Sequence, residues 1–388
     1  MAEPAAGGGG PAARKLDSIQ VLRAIAAAMV VAGHLIGAAV LKADMLGPFA
    51  RPHYAGGAGV DIFFLISGFI MVHASHRMFG SGTGARDFLI RRLVRIVPLY
   101  WLVTIVTLLL ALVAGNRLPS SGATAASFLF FPIDTGRRGD GFAFPIVDLG
   151  WTLNYEMMFY LLFAAFIPWG RERCVAAVST ALVVLVVAGA LATPENVTLR
   201  FWTQPIILEF GAGMILALLH LRAALRMGVT ARIALTIAAI ALYLWDPFSL
   251  FVLPTTPNGF ARIGSWGVAS ALLLIAAISG PTPLDNLAGR TAVRLGDASY
   301  ALYLLHPFVI LVLLRVADQG LFGGAALFIL TGFVAAATVS VLFHLLVERP
   351  GTIRLTHLLQ RIGVPIGREP LPPALTDPSE SGRRHRSP

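Results

Sequence analysis

Long apolar stretches, separated by short polar or glycine-rich connections, dominate the pattern along the chain. A helix needs about 20 apolar residues to cross the hydrocarbon core of a bilayer. Stretches of roughly this length lie at 18–40, 58–76, 93–114, 151–168, 174–192, 202–221, 231–246, 262–279, 296–316 and 322–346. The pattern predicts an all-α protein, a polytopic integral membrane helical bundle of about ten transmembrane helices.

The two ends of the chain lack this pattern. Residues 1–15 are rich in glycine, alanine and proline, and residues 351–388 end in a segment rich in proline, serine and arginine. Segments of this composition cannot bury enough apolar surface to form a packed core. We therefore predict a disordered N-terminal tail over 1–15, a transmembrane domain over 16–350, and a largely disordered cytoplasmic tail over 351–388.

The overall composition supports a membrane protein and excludes other classes. Hydrophobic residues make up 56% of the chain, charged residues only 13%, and the mean hydropathy is +0.76, whereas about 25% of the residues of a soluble domain are charged. The single cysteine, Cys174, excludes an intrachain disulfide and a cysteine-based metal site. We expect no metal in this protein.

The distribution of the cations predicts the orientation in the membrane. A net charge of +10 would suggest a nucleic-acid partner in a soluble protein. If the ten spans alternate, however, most of the 30 Lys and Arg residues fall on the side that holds both termini. Cytoplasmic loops carry such an excess, so we predict that both termini are cytoplasmic. We expect the protein to contact membrane lipid and to have no nucleic-acid partner.

Ionisable side chains inside the first span are the strongest functional signal. Arg23 and His34 lie eleven positions apart, which places them on one side of the helix and about 16 Å apart along its axis. A charged side chain at membrane depth costs roughly 2.5–3.5 kcal/mol and is usually functional. One helix thus carries a cation near the inner leaflet and a titratable base nearer the outer leaflet.

Two carboxylates are predicted at a similar depth to His34. Asp61 lies near the outer end of the second span, and Glu156 lies a little over one turn inside the fourth. A histidine beside a carboxylate is the usual construction of a general base. The three residues are therefore candidate catalytic groups, although each could instead form a structural cap or ion pair.

The ninth span carries His306 near its middle, followed by Pro307. Tyr300 and Tyr303 are its neighbours on the helix, and Asn154 and Tyr155 precede Glu156 in the fourth span. We consider the following as candidate lining of a cavity: His306, Tyr300, Tyr303, Asn154 and Tyr155. The alternative for His306 is a packing residue bonded to a backbone carbonyl.

Paired arginines mark the start of the third span. Arg92 and Arg95 share one helix face, and arginine forks bind phosphate oxygens in bidentate fashion. Together with Arg23 on the same inner side, they predict a pocket for a phosphorylated ligand that arrives from the cytosol. The alternative is a positively charged anchor at the cytoplasmic surface.

The glycine-rich run near Asp61 lacks the Gly-Lys-Ser/Thr ending of a nucleotide loop, and its small residues permit close helix packing.

Several motifs, in order along 16–350, resemble the membrane-bound acyltransferase 3 family, and most of all its exopolysaccharide-production O-acetyltransferase branch. The motifs read LDSIQVLRAIAAAMVVAGH, GVDIFFLISGFIM, RRLVRIVPLYW, WTLNYEMMFY, SYALYLLHPF and a final VERP. The resemblance implies a multi-pass protein of the bacterial cytoplasmic (inner) membrane. It also matches His34 to the essential histidine of the family, Arg23 to its partner arginine, and Arg92 and Arg95 to the paired arginines of the third span.

The resemblance implies transfer of an acyl group, typically acetyl, from acyl-CoA to a hydroxyl of a glycan or of a lipid-linked saccharide. Acetyl-CoA would be a donor substrate, with no permanently bound cofactor. His34 would act as general base, oriented by Glu156 or Asp61, or would carry the acyl group covalently. From the residues alone, a saccharide or lipid transporter or flippase is the alternative, and a membrane scaffold or sensor leaves the buried ionisable residues unexplained.

Overall fold

The computed structural model describes residues 16–41, 56–135, 143–245, 247, 259–281, 284–362 and 364. Within these ranges every regular element is helical. The helices are α1 (Asp17–Leu41), α2 (Ala58–Ala74), α3 (Gly84–Val113), α4 (Ser121–Phe128), α5 (Trp151–Phe166), α6 (Arg171–Ala192), α7 (Val197–Trp202), α8 (Leu208–Leu221), α9 (Val229–Trp245), α10 (Gly259–Arg262), α11 (Val268–Ile278), α12 (Leu287–Asp297), α13 (Ser299–Ala317), α14 (Ala325–Phe343) and α15 (Arg349–Arg361).

The predicted all-α membrane architecture is confirmed, since each of the ten apolar stretches coincides with helical residues. Among the residues that the structure describes, seven helical segments are long and apolar enough to cross a membrane, and α2 and α9 are shorter apolar helices. The count of ten spans and the cytoplasmic side of the termini stay predictions.

Some helix ends differ from the prediction. Helix α3 begins at Gly84 rather than near residue 93, because the basic residues ahead of the apolar stretch continue the same helix. Helix α14 passes through a wider π-helical turn at His344–Glu348 into α15, so the chain is helical beyond the predicted domain boundary at 350. The predicted tails over 1–15 and beyond 364 lie outside the described residues.

Apolar side chains face outward along the long helices. Leu109 in α3, Val184 in α6, Ile237 in α9 and Leu346 beyond α14 are each at least half exposed. In a soluble protein such contiguous exposed apolar surface would favour aggregation. In this bundle it provides the surface that contacts lipid tails.

Glycines bring α2 into backbone contact with its neighbours. A side chain at Gly68 would overlap the carbonyl oxygen of Phe210 in α8, and one at Gly213 would overlap that of Leu65 in α2. On the other side of α2, a side chain at Gly59 would overlap a backbone carbonyl of α1. The predicted close packing through small residues is confirmed, and it places α2 between α1 and α8.

Candidate functional site

A cavity of about 110 Å³ lies among α1, α2, α3, α5 and α13. Helix α2 supplies a mostly apolar wall that includes Phe63, Phe64 and Ile70. The other helices supply most of the polar and charged groups. The predicted site residues that line it are Arg23, Arg92, Arg95, Glu156, Tyr300 and Tyr303.

The position of Arg23 is fixed by the first residue of α13. Both Nε and Nη2 of Arg23 donate to the hydroxyl of Ser299, over 3.1 and 2.9 Å. Ser299 is fully buried, so this contact is not lost to solvent. Sequence reasoning missed Ser299, although it opens the same motif as His306.

Arg92 and Arg95 face the cavity from α3, one turn apart. The guanidinium carbon of Arg92 lies 5.5 Å from the ring centre of Phe88 and 6.0 Å from that of Tyr160, so ring faces hold its cation. Arg95 is close enough to both Arg92 and Arg23 to repel them. Three like charges thus converge on one cavity.

Glu156 is the carboxylate of this cavity. It accepts hydrogen bonds from the hydroxyl of Ser67 in α2, over 3.2 Å, and from the hydroxyl of Tyr160 one turn along α5. Its charge interacts favourably with Arg23 and Arg92. Asp297 and Glu348 also attract Arg23. Among the residues that line the cavity, however, three guanidinium groups face one carboxylate, which suits an anionic ligand. The sequence analysis had not identified Ser67 or Tyr160.

Tyr303 is the last residue of α13 that lines the cavity, and Thr152 is the first of α5. The Tyr303 hydroxyl lies 3.0 Å from the Thr152 hydroxyl and donates to the carbonyl of Leu149 over 3.1 Å. The ring of Tyr303 packs edge-on against Phe63, with their centres 6.1 Å apart. Its other neighbour is His306, with ring centres 6.4 Å apart.

His34 and His306 form a contact pair, in which His306 lies one turn beyond Tyr303 on α13. Nε2 of His306 lies 3.3 Å from Nδ1 of His34, and the ring centres are 5.0 Å apart. His306 is fully buried, whereas His34 is exposed. Arg23 contacts Ser299 and His34 contacts His306, so α1 and α13 run in the same direction, as the first and ninth spans of an alternating bundle would.

Five predicted site residues are not among those that line the cavity: His34, Asp61, His306, Asn154 and Tyr155. On α5 the cavity is lined at Thr152, Leu153, Glu156 and Tyr160, so helical spacing turns Asn154 and Tyr155 to another face. The Tyr155 ring stacks on Phe201 and its hydroxyl donates to the Phe201 carbonyl. His306 follows Tyr303 by one turn and therefore lies past the lining of the cavity.

Asp61, the third predicted catalytic residue, is held in a separate buried cluster. Arg262, beyond reach of any sequence pattern, donates through Nη2 and Nε to both of its carboxylate oxygens, with a shortest distance of 2.7 Å. Glu209 is buried beside them and interacts with both. The structure therefore places Arg262 against Asp61, and His306 against His34.

Comparison with known proteins decides the family. The acyltransferase domain matches residues 16–345. The chain belongs to the acyltransferase 3 family. With its apolar helices, the protein is an integral membrane acyltransferase, as the resemblance of its motifs predicted.

Three relatives illustrate the range of this similarity. The exopolysaccharide production protein ExoZ of Rhizobium meliloti is 32% identical over 307 residues, which cover 76% of this chain and 89% of the relative. Acyltransferase MdmB of Streptomyces mycarofaciens is 26% identical, covering 88% and 92%. The putative peptidoglycan O-acetyltransferase YrhL of Bacillus subtilis is 27% identical, covering 68% of this chain but only 46% of the relative. No solved structure matches.

Proposed function

We propose that this acyltransferase moves an acyl group, most simply acetyl, from acyl-CoA to a hydroxyl of an exopolysaccharide or another extracytoplasmic or lipid-linked glycan. The observation that carries the proposal is the set of residues that line the cavity. It includes Arg23, Arg92 and Arg95, and also Tyr303, whose ring centre lies 6.4 Å from that of His306, the contact partner of His34. The arginines suit a polyanion, and Tyr303 connects the lining to the His306–His34 pair.

The donor we propose fits the two surfaces of the cavity. Coenzyme A carries several phosphate charges at one end, and charge-assisted hydrogen bonds to arginine are among the strongest that proteins form. Its pantetheine arm is long and partly apolar, which suits the wall formed by Phe63, Phe64 and Ile70. Because Arg95 repels Arg23 and Arg92, a polyanion between them would also relieve that repulsion.

The chemistry we propose is base-assisted attack on the thioester. His34 takes the proton from the acceptor hydroxyl while the oxygen forms a bond to the acyl carbon. The bond from that carbon to sulfur then breaks, and the coenzyme A thiolate takes a proton back from His34. In a covalent relay the imidazole nitrogen would first form a bond to the acyl carbon as the carbon–sulfur bond breaks and the thiolate leaves. The acceptor oxygen would then take the acyl group from the nitrogen, and its proton would pass to the thiolate.

The acceptor class is proposed by analogy with the relatives. One is named for exopolysaccharide production and another for peptidoglycan O-acetylation. Both names point to glycans. We accordingly propose that the enzyme works in the bacterial cytoplasmic membrane.

The test is acetyl transfer by membranes that contain the protein. Membranes with labelled acetyl-CoA should label the surface polysaccharide, and His34→Ala should reduce the rate by about 10²–10⁴-fold, the usual contribution of a general base. His357→Ala is the matched control, because His357 is exposed on α15. Comparison of O-acetyl signals by NMR in polysaccharide from cells with and without the protein identifies the acceptor. Wild-type labelling by His34→Ala would refute the mechanism, and glycan movement without any need for acetyl-CoA would favour a transporter.

A further inference from the structure

The hydrogen bonds of the two histidines determine where each ring carries its proton. Nδ1 of His34 lies 2.9 Å from the carbonyl oxygen of Val30, and Nδ1 of His306 lies 2.9 Å from that of Leu302. A carbonyl oxygen only accepts hydrogen bonds. Each Nδ1 must therefore carry a proton, and in a neutral imidazole the lone pair is then on Nε2.

The contact between the rings follows from this assignment. Nε2 of His306 carries a lone pair and lies 3.3 Å from the protonated Nδ1 of His34. The His34 N–H is therefore shared between the Val30 carbonyl and the His306 ring. His306 is buried completely and its own Nδ1 is fixed to Leu302, so it is a rigid acceptor.

We propose that His306 is the positioning residue of His34, and that it directs the lone pair of Nε2 in His34 toward the acceptor hydroxyl. This inference rests on the proposed function, in which His34 is the base. A neighbouring ring thus performs the task that a carboxylate performs in the usual catalytic construction. Asp61 is bonded to Arg262, and Glu156 accepts from Ser67 and Tyr160.

The same arrangement serves the protonated state of the base. When Nε2 of His34 takes the proton, the positive charge spreads over the whole ring, including the N–H at Nδ1. That N–H faces two acceptors, the Val30 oxygen and the His306 nitrogen. The cation is stabilised without a nearby negative charge, so the thiolate that leaves can recover the proton from Nε2.

Spectroscopy tests the pair without reference to activity. In full-length protein labelled with ¹⁵N-histidine, we expect His34 and His306 both to be protonated at Nδ1 and unprotonated at Nε2. Loss of a signal in His34→Asn or His306→Asn assigns each ring among the nine histidines. His34→Ala should also shift the Nε2 resonance of His306, because alanine leaves no donor in the place of Nδ1 of His34. A proton on Nε2 of either resting ring would overturn the proposal.

Two variants of His306 separate positioning from packing. The side-chain oxygen of His306→Gln can reach the place of Nε2 and accept from His34, whereas His306→Asn reaches only the place of Nδ1. We expect His306→Asn to lower kcat by about 100-fold, the scale of a misplaced catalytic group, with little change in KM for acetyl-CoA. His306→Gln should recover a large part of that loss.

The outcomes are distinguishable. If the Asn and Gln variants are equally impaired, or if only KM changes, His306 acts through packing and the proposal fails. If His34→Ala keeps wild-type activity, the assignment of His34 as the base fails instead, whatever the spectra show for the pair.

Discussion

Two clusters of arginine and carboxylate lie inside this bundle, and they differ in how their charges are satisfied. In one, Arg262 holds Asp61 at 2.7 Å, with all of their side-chain surface buried. In the other, Arg23, Arg92 and Arg95 line a cavity together with Glu156, and Arg95 repels both of the other arginines. The carboxylate of Asp61 is bonded through both of its oxygens and joins two helices, whereas the arginines of the second cluster line a cavity that suits a ligand. The presence of charge at membrane depth therefore does not identify a site.

The largest effect is expected from removal of Arg262, the cation bonded to Asp61. Arg262→Met leaves Asp61 buried without its partner, which should lower the free energy of unfolding by about 3–5 kcal/mol. Thermal unfolding in detergent measures the loss. The double variant Asp61→Asn with Arg262→Met should recover much of it, since no unpaired charge remains. A single variant as stable as the wild type would show that the pair does not hold the fold.

Removal of an arginine that lines the cavity should weaken donor binding without lowering the melting temperature. Arg95→Met loses a charge-assisted contact to the donor of about 1.5–3 kcal/mol, so KM for acetyl-CoA should rise by roughly 10- to 100-fold. The melting temperature should not fall, because repulsion of Arg23 and Arg92 is relieved. Arg95→Lys keeps the charge but lacks the paired N–H donors of the guanidinium group, and it is the matched control. A melting temperature that falls with KM unchanged would reverse the roles of the two clusters.

A smaller effect on KM is expected at Ser299, which accepts the hydrogen bonds of Arg23. Ser299→Ala removes the acceptor of two donors of Arg23, at a cost of about 1 kcal/mol for a typical hydrogen bond. KM for acetyl-CoA should rise about fivefold with kcat nearly unchanged. Ser299→Thr keeps the hydroxyl and should remain near wild type. Equal kinetics for the alanine variant and the wild type would show that Arg23 needs no such support.

The smallest change in activity is expected at Thr152, which lines the cavity beside Tyr303. Thr152→Val removes the hydroxyl beside Tyr303, but Tyr303 still donates to the carbonyl of Leu149. Loss of one of two partners should alter activity by no more than about twofold, well under 1 kcal/mol. Acetyl transfer by purified protein measures it. A tenfold or larger loss would show that Thr152 itself takes part in the reaction.

The fold could be predicted from sequence because the bilayer imposes a simple rule on it. Apolar length alone located the long helices, whereas the short α4 and most of the polar α12 lie outside the predicted stretches. The eleven-residue separation of Arg23 and His34 fixed their relation within one helix. Residues three or four apart, such as Arg92 and Arg95, were likewise placed correctly on one face. These relations depend only on helical geometry.

Contacts between helices could not be predicted in the same way. Asp61 is bonded to a residue 201 positions away, and His34 contacts a residue 272 positions away. The periodicity of a sequence carries no information about such contacts. The prediction of a carboxylate beside His34 therefore rested only on the usual construction of a general base. Asn154 and Tyr155 were proposed as lining because they adjoin Glu156 in sequence, but neighbours in a helix point to different faces.

The glycines between α2 and its two neighbouring helices have a mechanical consequence. Side chains can change rotamer while the backbone stays in place, but Gly59, Gly68 and Gly213 bring main chain against main chain. Helices α1, α2 and α8 therefore form a stiff wall with no slack between them. On the opposite side, α13 is tied to α3 and to the segment before α5 by the long tyrosines Tyr300 and Tyr303. Any widening that admits a bulky donor and releases its product must occur on this tyrosine-tethered side.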